Sequence, residues 1–398
     1  WTKVRPVSHD NTGHAVTIVP DRWVDTIKKA SAVFRKHPLI QSSSVTVSRS
    51  ESGEYLLTSE GLRYYSSAGL AGFVIAASAL AEDGMNLRVS WKTQLTSADS
   101  APAQDEIVKA AQKVATRLEA LLKAPKMKEN YSGPVLFQGS AAAAFVTATL
   151  ARSLSANAMP VSWSKKGVFE GMKSRPILPD WVSIVDDPSK KRLRGKELAG
   201  HYEVDHEGVK AKKVELVKRG RLTGFLSSRR PTKDLKESNG HGRGLFGMLS
   251  SVAMPSNFIV RARRGLSKKR MKRRFLKLLK KKGLKHGYII KKSRQLSAYS
   301  LVGYSSSRNI RLPQPLEVYR VDLKGKETLV RGVKAESLPI SELERLVAMG
   351  KKPEVTNIWL RPGFGVSMVT PDILVERVEL GERTRRPTRK PVLPSPLE

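Results

Sequence analysis

The sequence predicts an α+β fold, in which a partial N-terminal α/β portion precedes a larger, mainly antiparallel β-rich domain with a few helices. Two early segments, 22–36 and 106–122, carry apolar residues at helical spacing, and short alternating segments lie between them. After residue 130, short strand-like runs separated by glycines dominate. Hydrophobic residues make up 40% of the 398 residues, which is sufficient for folded cores. We therefore expect two domains, 1–130 and 131–398.

The N-terminal portion is expected to combine two helices with several strands. Trp23, Ile27 and Phe34 fall on one side of the first predicted helix, which gives it an apolar face. Alternating or continuous apolar runs then predict strands, and a Ser-Glu-Gly segment predicts a turn between two of them. These elements are strands over 44–50, 55–57, 62–65, 72–79 and 87–93, the turn at 59–61, and the helix over 106–122.

The C-terminal portion is expected to begin with a short strand over 135–137 and a helix over 140–155 that is rich in small residues. Several short strands follow, with glycines where hairpin turns belong. Prolines close the chain and predict an extended tail. The strands predicted after this helix are 182–185, 214–218, 258–261, 318–323 and 327–330.

The charge of the chain is strongly unbalanced. Lys and Arg total 72 and Asp and Glu total 36, so the formal net charge is +36 and the isoelectric point is about 10.4. Such a surplus fits a basic surface that serves solubility alone, or one that binds an acidic protein, an anionic surface or nucleic acid. No acidic residue occurs between Glu237 and Glu317, and 17 cations fall within 261–294.

This basic stripe, 261–294, contains a predicted amphipathic helix over 267–282. Met271, Phe275 and Leu279 lie on one face of that helix, and Ser267 is in position to cap its start. Its first turn carries cations, which is the unfavourable end of the helix dipole for positive charge. The side chains that we single out as candidates for binding a polyanion or an acidic partner are Lys268, Lys269, Arg270, Lys272, Arg273 and Arg274.

Two clusters of residues are possible functional sites. His201, Asp205, His206 and Glu207 fall within seven residues, a spacing that permits a metal site. Glycines flank this cluster on both sides, so a strand or turn with solvated polar groups is the preferred interpretation. The glycine-rich segment 240–244 predicts a loop whose backbone approaches another element closely.

Several function classes are excluded or unsupported. The sequence has no Cys, which removes disulfides, thiolate nucleophiles and Cys-ligated metal sites. No HExxH, nucleophile-elbow, Walker or dinucleotide motif occurs. No apolar run is long enough to cross a bilayer, so no transmembrane segment is expected. Since Trp1 opens the sequence, we expect that the chain is processed or that its start is missing.

The order of several short segments is more informative than any one of them. The series resembles the TldD/PmbA family of metallopeptidase-related proteins, also called modulators of DNA gyrase, over about residues 20–395. The matching segments are 133–139, 141–144, 178–179, 185–188, 205–209, 216–222, 228–229, 238–243, 255–257 and 330–332, followed by the proline-rich end.

The resemblance implies an N-terminal α/β portion, most of a further N-terminal domain being missing here, and a C-terminal β-rich domain that dimerises. It also implies that active members carry an HExxxH helix, whose two His bind a metal while the Glu acts as a base. A metal-free paralogue usually partners the active subunit, and the two process unfolded peptides in an enclosed chamber.

The positions of this motif are degenerate in the present sequence. Counted from the small residues after 133–139, the first His position is Thr147, the Glu position is Ala148 and the second His position is Arg152. None of these side chains supplies an imidazole or a carboxylate, and a guanidinium repels a divalent ion. We therefore expect no metal, no cofactor and no catalytic residue in this chain, which resembles the metal-free branch of the family.

Other matched segments are intact. Carried over from the resemblance, the segments 205–209 and 238–243 border the substrate chamber. The candidate peptide- or chamber-lining residues are Asp205, Glu207, Asn239, His241 and Arg243. The alternative is that these side chains hold a turn together.

The resulting hypothesis is a non-catalytic TldD/PmbA-like subunit that binds peptide, or that pairs with a metal-bearing sister subunit in a peptide-processing complex. Its expected partners are a homo- or heterodimer mate of the same family and an unfolded peptide, with an acidic partner or polyanion as a further option. The alternatives are a scaffold that binds polyanions through the basic stripe and a metal-independent hydrolase. An exported location is slightly favoured over a cytoplasmic one.

Overall fold

The computed structural model describes residues 2, 7–12, 21–96, 101–156, 167–232, 235–244, 251–294, 301 and 307–383. Its N-terminal part forms one sheet covered by two helices. The elements are β1 (Val7–Thr12), α1 (Asp21–Ala32), a 3₁₀ turn (Val33–Lys36), β2 (Ser42–Leu57), β3 (Leu62–Leu80), β4 (Asn86–Leu95) and α2 (Gln104–Lys123).

Strands β2 and β3 form a hairpin much longer than the sequence predicts. The predicted strands 44–50 and 55–57 are one strand of 16 residues, and 62–65 and 72–79 are one strand of 19 residues. The polar stretch in the middle of β2 gives no strand signal of its own. It is extended because its backbone pairs with β3 along the whole length of the hairpin. The predicted turn at 59–61 is confirmed, since the N–H of Gly61 donates to the carbonyl of Thr58.

The N-terminal core lies between this sheet and the two helices. Trp23 of α1 meets Phe73 of β3 edge to face, with ring centroids 4.7 Å apart. Ile107 and Leu118 of α2 are fully buried in the same cluster. Strand β3 is central: β2 pairs along one edge, and β1 and β4 pair in turn along the other.

The C-terminal part is rich in strands, and most of them are short. Its helices are α3 (Ser140–Val146), which continues as a π-helical turn (Thr147–Ala151), α4 (Lys268–Lys281) and a 3₁₀ turn (Ile340–Arg345). Its strands are β5 (Tyr131–Phe137), β6 (Ser155–Ala156), β7 (Val182–Asp186), β8 (Arg192–Leu193), β9 (Lys196–Glu197), β10 (Val214–Lys218), β11 (Arg221–Leu222), β12 (Leu226–Ser227), β13 (Gly242–Arg243), β14 (Val252–Ala253), β15 (Asn257–Ala262), β16 (His286–Ser293), β17 (Asn309–Arg311), β18 (Pro315–Asp322), β19 (Glu327–Val330), β20 (Val333–Ala335), β21 (Ser337–Pro339), β22 (Leu346–Met349), β23 (Glu354–Arg361), β24 (Phe364–Thr370) and β25 (Ile373–Glu382).

Two larger sheets organise this part. One has six strands in the order β11-β10-β7-β15-β24-β23, and the other has the order β19-β18-β16-β5-β25-β20 with β22 beside β25. Only the β15–β24 and β5–β16 neighbours are parallel within these two sheets as described. The predicted α+β class with a mainly antiparallel C-terminal domain is therefore confirmed.

Helix α3 lies between the two sheets and α4 lies outside them. On β5, Val135 and Phe137 point into the core that contains α3, whereas Leu136 points to the opposite face and contacts the cluster around α4. The alanines of α3 are almost completely buried. Their small size lets the strands on both sides approach the helix, which explains the small-residue signal in the sequence.

The N-terminal core extends as far as Leu122 of α2, and the core around α3 begins at Met127, close to residue 130, where the sequence predicts a domain boundary. Polar contacts cross that boundary: Nη1 of Arg331 donates to both carboxylate oxygens of Asp83, at 2.8 and 2.9 Å. Lys126 likewise pairs with Glu382. No described helix has the length and apolarity needed to cross a membrane. The predicted extended tail lies outside the described residues.

Candidate functional site

The buried helix α3 carries the three degenerate motif positions at its C-terminal end. Thr147 and Ala148 are the first two residues of the π-helical turn, and Arg152 directly follows the turn. The Thr147 hydroxyl donates to the carbonyl of Ala143 at 2.7 Å. Ala148 is buried, and burial lowers the pKa of the half-buried Arg152 below its ordinary value.

These residues do not fit a metal ion. The Thr147 hydroxyl already donates to a backbone carbonyl, Ala148 has no donor atom, and Arg152 keeps a guanidinium that cannot ligate. Among the described residues, no group of three or more His, Cys, Asp or Glu is arranged to hold a metal. The metal interpretation of 201–207 is therefore wrong, because those side chains point to separate partners.

A second polar cluster, fully buried, is centred on Asp186 at the end of β7. Its carboxylate accepts a hydrogen bond from Nε2 of His241 at 3.1 Å and one from the backbone N–H of Ser256 at 3.0 Å. The Ser256 hydroxyl also donates to the same carboxylate. The serine contacts the carboxylate rather than the imidazole, so the three groups do not form a nucleophile–base relay.

Asn239 connects the glycine-rich loop to strand β12. Its Oδ1 accepts from the N–H of Ser227 at 2.9 Å, and its Nδ2 donates to the carbonyl of Phe225 at 2.8 Å. Oδ1 also lies 3.0 Å from Nδ1 of His241. Both ring nitrogens of His241 therefore face oxygen acceptors, one from Asn239 and one from Asp186.

Asp205 closes a turn and fixes the neighbouring strand. Its two carboxylate oxygens accept from the backbone N–H groups of Glu207, Val209 and Gly242 at 2.8–3.0 Å. Burial raises the pKa of Asp205 to about 7, although the three N–H donors act in the opposite direction. The turn is present, with Gly208 at φ +79°, but the prediction that its polar groups are solvated is wrong, since Asp205 is buried.

Glu207 points away from that turn and accepts from the backbone N–H of Arg229. Burial raises the pKa of Glu207. A β-carbon at Gly242 would lie 2.1 Å from Oε2 of Glu207. Glycine at this position of the 240–244 loop is therefore what allows the carboxylate to reach the backbone of Arg229, as the predicted close approach implies.

His206 is held as a neutral ring. Its Nδ1 accepts from the N–H of Gly244 at 2.8 Å, and the ring packs 5.3 Å from that of Phe364. Burial lowers the pKa of His206 to about 4, and the positive charges of Arg243 and Arg361 act in the same direction. A neutral His206 with an unprotonated Nδ1 carries its proton on Nε2.

Arg243 is buried between two aromatic rings. Its guanidinium carbon lies 4.7 Å from the ring centroid of Tyr202 and 4.1 Å from that of Phe364. Nη1 donates to the carbonyl of Gly365 at 2.9 Å. Burial lowers the pKa of Arg243 to about 10, so the side chain is still a cation at neutral pH.

The β2–β3 hairpin reaches from the N-terminal sheet to this buried cluster. Glu54 of the hairpin accepts from Nη2 of Arg361 at 2.7 Å and faces His206 at 3.8 Å. At the hairpin turn, Glu60 forms a bidentate pair with Arg229, whose side chain is 7% exposed. The polar cluster of the C-terminal part is thus covered by residues from the N-terminal part.

The Glu60–Arg229 pair provides a test of this covering. We expect Arg229→Ala to lower the free energy of unfolding by about 2 kcal/mol, because a buried charge-assisted bidentate contact is lost. Arg49→Ala, which breaks the more exposed Arg49–Glu51 pair on the same hairpin, should cost at most about 0.5 kcal/mol. Urea unfolding measures both, and equal losses would contradict the assignment of the Arg229 contact as a buried one.

The structure brings together all five predicted chamber residues: Asp205, Glu207, Asn239, His241 and Arg243. Each is bonded to neighbouring protein groups, and a peptide-lining role for them stays a prediction. Their main partners, Asp186 and Ser256, carry no motif of their own that indicates a role. Asp186 and Ser256 lay in matched segments, 185–188 and 255–257, which was the available signal.

The basic stripe lies elsewhere: it begins in β15 of the six-stranded sheet, and its helix α4 lies on the outer face of the seven-stranded sheet. The predicted helix and its Ser267 cap are confirmed, with Oγ of Ser267 accepting from the N–H of Arg270. Lys272 pairs with Glu327 at 2.7 Å, and Lys268 lies 3.9 Å from Glu354. The other candidates of the stripe, Lys269, Arg270, Arg273 and Arg274, are exposed.

Both the sequence and the fold are similar to those of known proteins. A sequence profile described as the PmbA/TldA metallopeptidase C-terminal domain matches residues 130–382. No functionally curated protein matches the sequence. Among solved structures, TldE from Thermococcus kodakarensis is similar with a TM-score of 0.63 at 15% identity, over 96% of this chain and 80% of that chain.

Two further structures have the same fold. A putative modulator of a DNA gyrase from Thermotoga maritima has a TM-score of 0.62 at 17% identity, over 96% of this chain and 80% of that chain. A putative modulator of DNA gyrase from Bacteroides thetaiotaomicron has a TM-score of 0.60 at 14% identity, over 96% of this chain and 76% of that chain.

Proposed function

Because the chain belongs to the TldD/PmbA family, we propose that it is a non-catalytic subunit that pairs with a metal-bearing sister and helps to hold the peptide which the sister cleaves. The observation that carries this proposal is at the C-terminal end of α3. The backbone there forms a π-helical turn, which suits a motif with two metal ligands five residues apart, but the side chains present cannot bind a metal.

The backbone shape is the π-helical turn over Thr147–Ala151. The two His of HExxxH are five residues apart. In an α-helix, residues four apart lie one above the other, whereas the i→i+5 bonding of a π turn brings residues five apart into that relation. The turn therefore aligns positions 147 and 152, which the resemblance assigns to the two His.

The side chains at these positions support loss of catalysis. Thr147 donates its hydroxyl to a carbonyl, Ala148 offers a methyl group in place of a base, and Arg152 is a cation. Hydrolysis through this helix would need a metal and a base from another chain. A sister subunit with an intact motif supplies the metal and the base. The role of the present chain is then to close the chamber and to contact the peptide.

The test is to express this chain together with a metal-bearing family member from the same genome. We expect native mass spectrometry to show a complex of the two, with metal analysis giving metal for the sister subunit alone. Cleavage of an unfolded peptide should require the complex and stop when a chelator is added. The chain purified alone should neither hold metal nor cleave.

Two outcomes would contradict the proposal. If the chain forms a metal-free homo-oligomer and does not bind the sister subunit, the scaffold role considered from the sequence would be favoured instead. Cleavage by the isolated chain that resists chelator would indicate the metal-independent hydrolase considered from the sequence.

A further inference from the structure

Helix α4 presents an outward face made of cations. Its apolar side, with Met271, Phe275 and Leu279, is buried against the seven-stranded sheet. Apart from Lys268, the exposed cations of the helix fall within an arc of about 140° on the opposite side, at 100° per residue. They are Lys269, Arg270, Arg273, Arg274, Lys277, Lys280 and Lys281, and we call them the α4 ridge.

The ridge is not neutralised by the protein. Within the part of the chain that the structure describes, none of its seven cations forms an ion pair with a carboxylate. Among the described residues, the cations of α4 and its C-terminal cap that form ion pairs lie outside the ridge: Lys272 contacts Glu327 at 2.7 Å, Lys282 contacts Glu376 at 2.9 Å, and Lys268 lies 3.9 Å from Glu354. The acidic side chains next to α4 therefore pair with cations outside the ridge and do not neutralise it.

This arrangement works against the stability of the helix. Lys269, Arg273, Lys277 and Lys281 follow one another at four-residue intervals, and like charges at that spacing repel. The first turn has no acidic residue, although that end of the helix dipole favours negative charge. An external anion that bound along the ridge would relieve both effects.

The surroundings extend the positive surface. The turn between β18 and β19 lies against α4, since a β-carbon at Gly325 would be 3.4 Å from the side chains of Leu276 and Lys272. Lys324 and Lys326 flank this glycine and are exposed. The anion that fits must therefore be long enough to meet a helix of 14 residues, about 21 Å, and its neighbouring turn.

The chemistry of the ridge favours one class of polyanion. Insertion into a membrane is disfavoured, because the apolar side of α4 is buried and no large hydrophobic residue of 261–294 is exposed. Base stacking on single strands needs exposed aromatic rings, and the one aromatic of α4, Phe275, is fully buried. Binding through charge alone, without insertion or stacking, fits both observations.

The convex shape of the ridge suits a groove. An α-helix with its side chains is about 10–12 Å across, and the major groove of B-form DNA is about 12 Å wide. Cations spread over about 140° can reach the phosphates on both walls of such a groove. From this geometry we propose that the α4 ridge docks double-stranded DNA through its phosphate backbone, without reading its sequence.

This site lies on the face of the seven-stranded sheet opposite α3, so it does not depend on the function proposed for the metal-free helix. The test uses the full chain and a fluorescent DNA duplex of random sequence, about two helical turns long. We expect binding that weakens linearly in a plot of log affinity against log salt, with a slope of roughly −0.9 for each phosphate contacted.

The variant for the test replaces Lys269, Arg273 and Lys277 with Gln. We expect affinity to fall about 100-fold near 0.1 M salt and the salt slope to become shallower by roughly 2.7. The matched control, Lys28→Gln with Lys36→Gln and Lys113→Gln, removes the same net charge from exposed positions of the N-terminal helices. It should bind like the unchanged protein.

Thermal unfolding of the ridge variant should show no loss of stability, since Gln favours helix and the repulsion is reduced. Should the triple variant not fold, Arg273→Gln alone is expected to make the slope shallower by roughly 0.9. The proposal is overturned if duplex DNA does not bind at low salt, or if the control variant is weakened equally. It is also overturned if anionic vesicles or an acidic peptide are bound in place of duplex DNA.

Discussion

Replacing His241 with alanine is expected to lower the free energy of unfolding by about 3–5 kcal/mol, the largest single effect that the structure predicts. The substitution removes the Nε2 donor from the Asp186 carboxylate, which is fully buried, and leaves a cavity where the ring was. Ser256 continues to donate to the carboxylate but cannot replace the lost contact. Urea unfolding followed by circular dichroism measures the change.

A matched control lies nearby. His201 is half-buried, and its Nδ1 contacts the carbonyl of Pro188 at 2.9 Å. Because no buried charge loses a partner, His201→Ala should cost about 1 kcal/mol or less. A His241→Ala variant within 1 kcal/mol of the unchanged protein would show that the Asp186 cluster does not stabilise the fold.

The second large effect is on the pH dependence of stability. Asp205 and His206 are adjacent, and burial shifts their pKa values in opposite directions, to about 7 and about 4. Their contributions to stability therefore oppose each other between about pH 4 and 6.5, and the unchanged protein should show little net dependence from this pair. Replacing either residue exposes the contribution of the other.

The sign follows from proton binding. Folded Asp205 keeps a proton that the unfolded chain, with a pKa near 3.9, has lost, so its contribution is present below about pH 3.9 and disappears as the pH rises through about 7. Folded His206 lacks a proton that the unfolded chain binds below about pH 6.5. Its contribution is therefore present above that pH and lost as the pH falls towards 4.

The expected sizes are about 4 kcal/mol for Asp205 and about 3 kcal/mol for His206. Measured by urea unfolding between pH 4 and 8, Asp205→Asn should lose stability towards acid relative to the unchanged protein, and His206→Gln should gain it. The double variant should return to the nearly flat profile. Identical profiles for all four proteins would contradict the burial-driven shifts.

Local signals in the sequence accounted for the helices and the class of the fold. The apolar spacing of Met271, Phe275 and Leu279, with the Ser267 cap, fixes α4 almost to the residue. The length of β2 was not predictable, because its polar centre is extended by pairing with β3. The π turn after α3 had no signal either, since the small residues there fit any buried helix.

Part of the candidate site was visible and part was not. The glycine-rich composition of 240–244 indicated a loop with a close backbone approach, and the family resemblance pointed to His241 and Arg243 within it. Their partners come from far along the chain: Asp186 is 55 residues from His241, and Glu60 is 169 residues from Arg229. A single sequence does not encode such pairings in any local pattern, so only the fold brings them together.

The π turn has a consequence for how this chain can change over evolution. A π turn is equivalent to an α-helix with one inserted residue, and deleting that residue would restore regular helical bonding. The deletion would also rotate everything after it by about 100°. The carbonyl of Leu154 accepts from Leu226, and Ser155 pairs in register with the same strand, so both contacts would be lost.

The insertion is therefore held in place by the strand that follows it, whether or not a metal is bound beside it. Single substitutions can change the side chains at Thr147, Ala148 and Arg152 one at a time, whereas the π turn of the backbone cannot be removed in a single step. In this helix the side chains and the π turn can therefore change independently. Substitutions can alter the side chains while the pairing of the following strand keeps the turn in place.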